Sequence, residues 1–201
     1  MTEEEYQQLV RPYSDASEIL MSRLNVMKHQ LYDSSAGKPI HTLQARIKSK
    51  DSIERKLAVK KNVEETAENA RDYLLDIAGI RVICYFEDDI YNLVDSLKRQ
   101  SDIIILKERN YIKEPKVNGY RSFHLILGIP VYYTDAMEYF PVEVQFRTLS
   151  MDFWASMEHH VLYKKENDNR ENIAAELKIY ADELSEMEKR FAHFANKIPV
   201  S

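Results

Sequence analysis

The sequence predicts one mixed α/β domain with a helical segment at each end. Three observations carry this. Apolar residues recur at helical spacing through residues 3–32. Between 80 and 147 the chain turns β-rich, with apolar runs and one unbroken alternation of apolar and polar residues. From 173 onward apolar residues return at intervals of four and three.

Taken in order, the first helix is expected over 3–32, where Tyr6, Leu9, Tyr13, Leu20, Leu24, Met27 and Leu31 form a stripe. Ser34-Ser35-Ala36-Gly37-Lys38-Pro39 reads as a loop. A second helix is expected over 52–61 with Asp51 as N-cap. The mostly apolar run 80–86 reads as a central strand. Leu93 and Leu97 place a helix over 90–99, followed by a short strand at 103–106. Residues 109–121 are polar, hold Pro115 and Gly119, and read as a loop. Strands follow at 123–129 and 140–147, joined by a connection over 130–138. Ile173, Leu177, Tyr180, Leu184, Met187, Phe191, Phe194 and Ile198 are spaced 4-3-4-3-4-3-4, a heptad seam on an amphipathic helix. Such a seam packs either on its own domain or on another subunit.

The chain of 201 residues is long enough for one domain with a real core, and no repeat or composition break divides it. Four glycines and six prolines leave no flexible linker. Cys84 is the sole cysteine and sits in an apolar run, so it reads as an inert core thiol. No segment reaches the apolar length of a membrane span, and the acidic start Met-Thr-Glu-Glu-Glu is unlike a signal peptide. A cytoplasmic protein with no membrane partner is expected. The net charge of −5 disfavours binding of long nucleic acid, DNA included. Basic residues nevertheless cluster at 46–61 and 109–121, which suits a small, highly charged ligand such as a nucleotide.

The chemistry centres on Val142-Glu143-Val144-Gln145-Phe146-Arg147. In a strand, Val142, Val144 and Phe146 face the core and Glu143, Gln145 and Arg147 form a polar row opposite. That row fits a solvated sheet face equally well. No GxxxxGK[ST] or GxGxxG occurs, so phosphates would have to be met by side chains and metal. Arg46, Lys48, Ser52 and Lys56 fit that need, with Ser52 and Lys56 one helical turn apart, or else form a solvated basic face. Asp76 enters the central strand and with Glu143 would give two hard oxygen ligands of the kind Mg²⁺ takes; it also fits a plain turn residue. Between Lys113 and His124 lie lysines, Tyr120 after a glycine, and an arginine; a tyrosine there can stack a base, and His124 is either a core histidine or a phosphate contact.

Five motifs in order, Arg46-x-Lys48-x3-Ser52-x3-Lys56, Asp76-Ile-Ala-Gly-Ile-Arg81, Asn118-Gly-Tyr-Arg-Ser-Phe-His124, Glu143-Val-Gln-Phe-Arg147 and Met151-Asp-Phe-Trp-Ala-Ser-Met-Glu-His159, resemble the synthetase domain of the RelA/SpoT alarmone family. With no second domain, the chain resembles its stand-alone small synthetases. The resemblance implies a nucleotidyltransferase-like mixed sheet of about five strands flanked by helices, and a single domain over 1–201. That domain would comprise an N-terminal helical region 1–45, a catalytic core 46–165 and a C-terminal amphipathic helix 166–201. It implies transfer of pyrophosphate from ATP to the 3′-hydroxyl of GDP or GTP, giving ppGpp or pppGpp and AMP. Asp76 and Glu143 resemble the Mg²⁺ ligands, and Glu143 also the group that activates the hydroxyl. Arg46 and Arg81 match the pair that sandwiches adenine, and Lys48, Ser52 and Lys56 the contacts to the ATP phosphates. Tyr120 matches the guanine-stacking tyrosine. Arg109, Lys113, Lys116 and His124 fall where acceptor phosphates are bound, while Gln145 and Arg147 flank the centre. The family and the seam together suggest a homotetramer.

Asp152 can accept from N1–H and N2–H of guanine and is expected to help select that base, unless it merely caps the helix before Phe153-Trp154. No His-Asp dipeptide occurs, so alarmone hydrolysis is not expected, and His159-His160 reads as part of a helix. Where relatives that bind pppGpp as an activator are basic, Met21, Asn25, His41 and Gln44 stand here and only Lys28 is basic, so activation is not expected. Two alternatives use the same residues: pyrophosphorylation of the 3′ end of tRNA, and a catalytically dead nucleotide-binding regulator.

Overall fold

The computed structural model describes residues 1–34, 39–163, 170–195 and 197. Four strands expected from sequence are present, and a fifth joins them. The strands are β1 (Ile40–Ile47), β2 (Ala78–Cys84), β3 (Ile104–Asn110), β4 (Phe123–Tyr132) and β5 (Met137–Thr148), in the order β1-β2-β5-β4-β3. β2 and β5 run parallel at the centre; every other neighbour is antiparallel. The helices are α1 (Glu3–Ser34), α2 (Lys50–Lys56) with a one-turn π-helix (Leu57–Lys61), α3 (Ala67–Tyr73), α4 (Glu87–Lys98), α5 (Leu149–Tyr163) and α6 (Arg170–Ala195).

The parallel pairing sets the two faces. Ile80, Val144 and Leu125 lie side by side on β2, β5 and β4, and all are buried. Leu9, Leu20 and Leu24 of α1, with Leu93 and Leu97 of α4, belong to the same core. Each such side chain taken from water contributes about 1.5–3 kcal/mol. That face is closed, so the polar face of the same strands is left for chemistry.

Several boundaries differ from expectation. The N-terminal region is not all helical, because 40–47 is strand β1; as an edge strand its residues are mostly half-buried or exposed, so it lacks a clean alternation. The second helix starts at Lys50 after Ser49, not after Asp51; the backbone N–H groups of Ser52 and Ile53 donate to the Ser49 carbonyl. β3 reaches Asn110, shortening the expected loop. The segment 130–138 is mostly hairpin rather than connection. β4 and β5 pair out to Tyr132 and Met137, and Tyr133 N–H closes the turn onto the Ala136 carbonyl at 2.8 Å. Pro130 and Pro141 are tolerated because the paired residues of β3 and β2 stop short of them, at Gly128 and Val142, so the missing N–H faces no partner. The expected loop residues 35–38, the boundary at 165/166 and Ile198 lie outside the described residues.

The heptad seam divides. Leu177 packs with Trp154 and Ala181, with Ile173 and Leu184 partly buried against them. Met187, Phe191 and Phe194 are exposed. With Tyr85, Phe86, Leu149, Phe153 and Leu184, Met187 and Phe191 line an apolar groove of about 520 Å³.

Candidate active site

Strand register places one polar residue from each of five strands in a single row: Gln44, Arg81, Gln145, His124 and Arg109. The next row holds Arg46, Gly79, Glu143, Ile126 and Lys107. Gly79 matters here: a Cβ would sit 3.4 Å from Arg46 Nε, so its absence lets that guanidinium lie over the sheet.

Glu143 borders two cavities. One, of about 170 Å³, is lined by Gln44, Arg46, Gly79, Arg81 and Gln145. The other, of about 240 Å³, is lined by Lys56, Lys61, Tyr73, Asp76, Lys107, Arg109, Tyr111 and His124. One is walled by two arginines and the other by three lysines and an arginine, so two anionic ligands can approach the same carboxylate from opposite sides.

Asp76 is held by Lys56 at 2.5 Å and Lys48 at 3.1 Å. Burial alone would raise its carboxyl, but the hydrogen bond from Lys56 and the charges of both lysines outweigh it and hold it below the ordinary value. Its Oδ1 is buried with no hydrogen-bond partner. Burial likewise pushes Glu143 up, while His124 and Gln145 pull it further down and Asp76 opposes them. Two carboxylates kept ionised on one cavity, one with an orphaned buried oxygen, are a donor set that fits a hard divalent cation.

The other expected residues divide. Ser52 accepts from the Ser49 hydroxyl at 2.9 Å, at the start of α2. Lys116 places its Nζ 4.6 Å over the Tyr120 ring and 5.1 Å over Tyr111. Lys113 instead lies over Tyr91 of α4; neither lysine borders either cavity, nor does Tyr120, whose ring contacts Tyr111 and His124 at the edge of the second. Asp152 is within α5 and is no cap; its Oδ1 accepts from Arg147 at 2.9 Å and lies 3.6 Å from Arg81. Gln44 lines the arginine cavity rather than standing apart from it. Asn25 is tied to the Met21 carbonyl, and His41 packs on Tyr85.

Lys107, Tyr111 and Tyr73 belong to no motif in the sequence, while Lys61 closes the basic cluster 46–61. Lys107 carried a usable signal: it is two residues from Arg109, hence on the same face once β3 is recognised. α6 also reaches the site. Trp154 Nε1 donates to the Leu177 carbonyl at 2.7 Å, and Arg121 pairs with Asp182 at 2.7 Å. The loop carrying Tyr120 thereby rests on α6.

A family model for a region found in RelA and SpoT proteins matches residues 45–168. The chain is 41% identical over 170 residues to the GTP pyrophosphokinase YwaC of Bacillus subtilis, covering 85% of this chain and 80% of that one. It is 29% identical over 198 residues to the GTP pyrophosphokinase YjbM of the same organism, covering 98% and 92%. Its fold is similar to the crystal structure of small alarmone synthetase 2 from Bacillus subtilis, with a TM-score of 0.83 and 38% identity over 98% of this chain and 100% of that one. It is also similar to small alarmone synthetase 1 from that organism bound to its product pppGpp, with a TM-score of 0.84 and 30% identity over 97% and 98%.

Proposed function

This chain belongs to the RelA/SpoT family, and on that premise we propose that it is a GTP pyrophosphokinase, which moves the β,γ-pyrophosphate of ATP to the 3′-hydroxyl of GDP or GTP. The observation that carries this reading is that Glu143 borders both cavities. Adenine enters the cavity walled by Arg46 and Arg81. Lys48, Ser52 and Lys56 receive the donor phosphates, Lys56 from the wall of the second cavity beside Asp76. The acceptor lies on the other side, its phosphates met by Arg109, Lys107 and Lys61 and its base by Tyr120, with Lys116 beside the ring.

Glu143 takes the proton of the 3′-hydroxyl as that oxygen bonds to the β-phosphorus of ATP. The bridging bond between the α- and β-phosphates breaks, its electrons leave on AMP, and the proton stays on Glu143 until solvent removes it. The protein's part is positioning and charge neutralisation. A divalent cation fits Asp76 and Glu143, and Mg²⁺ is the ion we assign; when bound it neutralises phosphate charge. The exposed end of the α6 stripe is assigned to subunit contact in a homotetramer. Among the described residues no helix is long and apolar enough to cross a membrane, and a cytoplasmic location is proposed from the substrates.

The test uses β- or γ-labelled ATP with Mg²⁺ and GDP, GTP or deacylated tRNA in turn. Label is expected on the guanine nucleotides and not on tRNA. Glu143→Gln is expected to abolish transfer with the fold retained. Label on tRNA alone, or on no acceptor, rejects the assignment.

A further inference from the structure

Two residues of the polar row, Gln145 and Arg147, have no role in the scheme above. We propose that Arg147 is a positioning residue that orients both carboxylate oxygens of Glu143, by fixing the direction of two hydrogen-bond chains that end on them. The proposal rests on the reading of Glu143 as the group that takes the hydroxyl proton.

Arg147 is 7% exposed and its guanidinium is spent on Asp152, Tyr120 and Gln145, so it is placed behind the site rather than against a substrate. Its guanidinium can only donate. Nη1 donates to Asp152 Oδ1 at 2.9 Å, and Nη2 donates to the Tyr120 hydroxyl at 3.1 Å and to Gln145 Oε1 at 3.4 Å. Asp152, close to Arg81 as well, anchors the guanidinium from the far side.

The direction of each chain follows from that donor. With Gln145 Oε1 turned to Arg147, the amide nitrogen faces Glu143 and donates to Oε2 at 2.9 Å. The reversed amide would set its NH2 against the Arg147 guanidinium, donor to donor, and its oxygen against Glu143 Oε2, acceptor to acceptor. In the second chain the Tyr120 oxygen accepts from Arg147, so its own hydrogen points to His124 Nε2, 2.8 Å away. A neutral His124 accepting at Nε2 carries its hydrogen on Nδ1. Nδ1 lies 3.5 Å from Glu143 Oε1, a long contact of the kind that tightens when substrates bind. Both arms therefore reach Glu143 as N–H donors, one to each oxygen. A planar fork serves three acceptors at once, which the single ammonium of a lysine does not do in the same plane.

The test reads the tautomer of His124 directly. In the free protein labelled with ¹⁵N-histidine, the ring-nitrogen shifts of neutral His124 are expected to report hydrogen on Nδ1. Tyr120→Phe keeps the ring and its packing against Trp154 but removes the hydroxyl, and is expected to shift His124 toward hydrogen on Nε2. Arg147→Met and Tyr120→Phe are each expected to lower kcat by about 10- to 100-fold, the usual loss when a group behind a functional residue is removed, with KM for ATP unchanged. Arg147→Lys is expected to rescue only a minor part. Hydrogen on Nε2 in the wild type, a tautomer indifferent to Tyr120→Phe, or a rise in KM for ATP at constant kcat overturns the proposal. Tyr120→Phe decides it even if Arg147→Met does not fold. Full turnover by Glu143→Gln with the Nδ1 tautomer intact would instead reject Glu143 as the base and leave the hydrogen-bond directions standing.

Discussion

Gly119→Ala probes how far the acceptor loop depends on α6. Gly119 has φ +89°, and a Cβ there would lie 2.6 Å from Ala181 Cβ and 3.0 Å from Lys178 Cα. Two penalties apply. An L-residue held in the left-handed region costs about 1–2 kcal/mol. Forcing a methyl into packed space costs about 1–3 kcal/mol, and here one neighbour is helix backbone that cannot rotate aside. Together they come to about 2–5 kcal/mol, against a whole-domain stability of about 5–15 kcal/mol. The cheapest relief is to lift α6 from the loop, which stretches the Trp154–Leu177 and Arg121–Asp182 contacts and frees Tyr120. Urea unfolding is expected to show that loss, and KM for GDP is expected to rise more than KM for ATP. Adding Ala181→Gly removes the shortest contact at about 1 kcal/mol of helix propensity. It is expected to restore the GDP KM in part while the backbone cost remains. A Gly119→Ala protein within about 0.5 kcal/mol of wild type, with an unchanged GDP KM, would refute this account of the loop.

Burial holds Glu188 above the ordinary glutamate value of 4.5, while the hydroxyls of Ser150 and Thr148 pull it down, Glu87 raises it and Arg121 lowers it. The folded state therefore binds this proton more tightly than the unfolded chain, and stability falls as pH climbs above 4.5 toward the raised value. Melting curves across that interval are expected to flatten in Glu188→Gln; an identical slope would show that α6 docking is not linked to this carboxyl. Lys107→Met is expected to raise KM for GDP about tenfold or more through loss of a charge-assisted contact worth about 1.5–3 kcal/mol, and to leave KM for ATP alone; the opposite pattern in steady-state kinetics would move Lys107 to the donor side. Phe191→Asp puts a charge on the exposed stripe and is expected to reduce the particle mass seen by light scattering, whereas an unchanged mass would place the subunit contact elsewhere.

The long helices and the central strand were legible because their periods are strong. Leu9, Leu20 and Leu24 announce α1, and the mostly apolar run through Ile80, Val82 and Ile83 has the character of a central strand. β1 was not legible, since an edge strand that is largely exposed alternates weakly and its Arg46 reads equally well as part of a solvated basic face. The expected strand at 123–129 stops before Pro130, because the harmlessness of that proline depends on where β3 ends. In the site, the face shared by Glu143, Gln145 and Arg147 follows from alternation alone. Lys61, Tyr73 and Tyr111 join it only through tertiary packing, and the commitment of Asp152 to two arginines has no local signature.

The five-strand row has a consequence for how the protein matures. Gln44, Arg81, Gln145, His124 and Arg109 come from strands far apart in the chain, and they align only when all four pairings are made in one register. A slip of one residue in any strand would turn its polar member into the core and an aliphatic one toward solvent. Turnover thus cannot precede closure of the parallel β2–β5 pair, the slow non-local step of such a topology. The appearance of activity during refolding is a clock for the completed sheet, and a partly paired intermediate, however compact, would be silent.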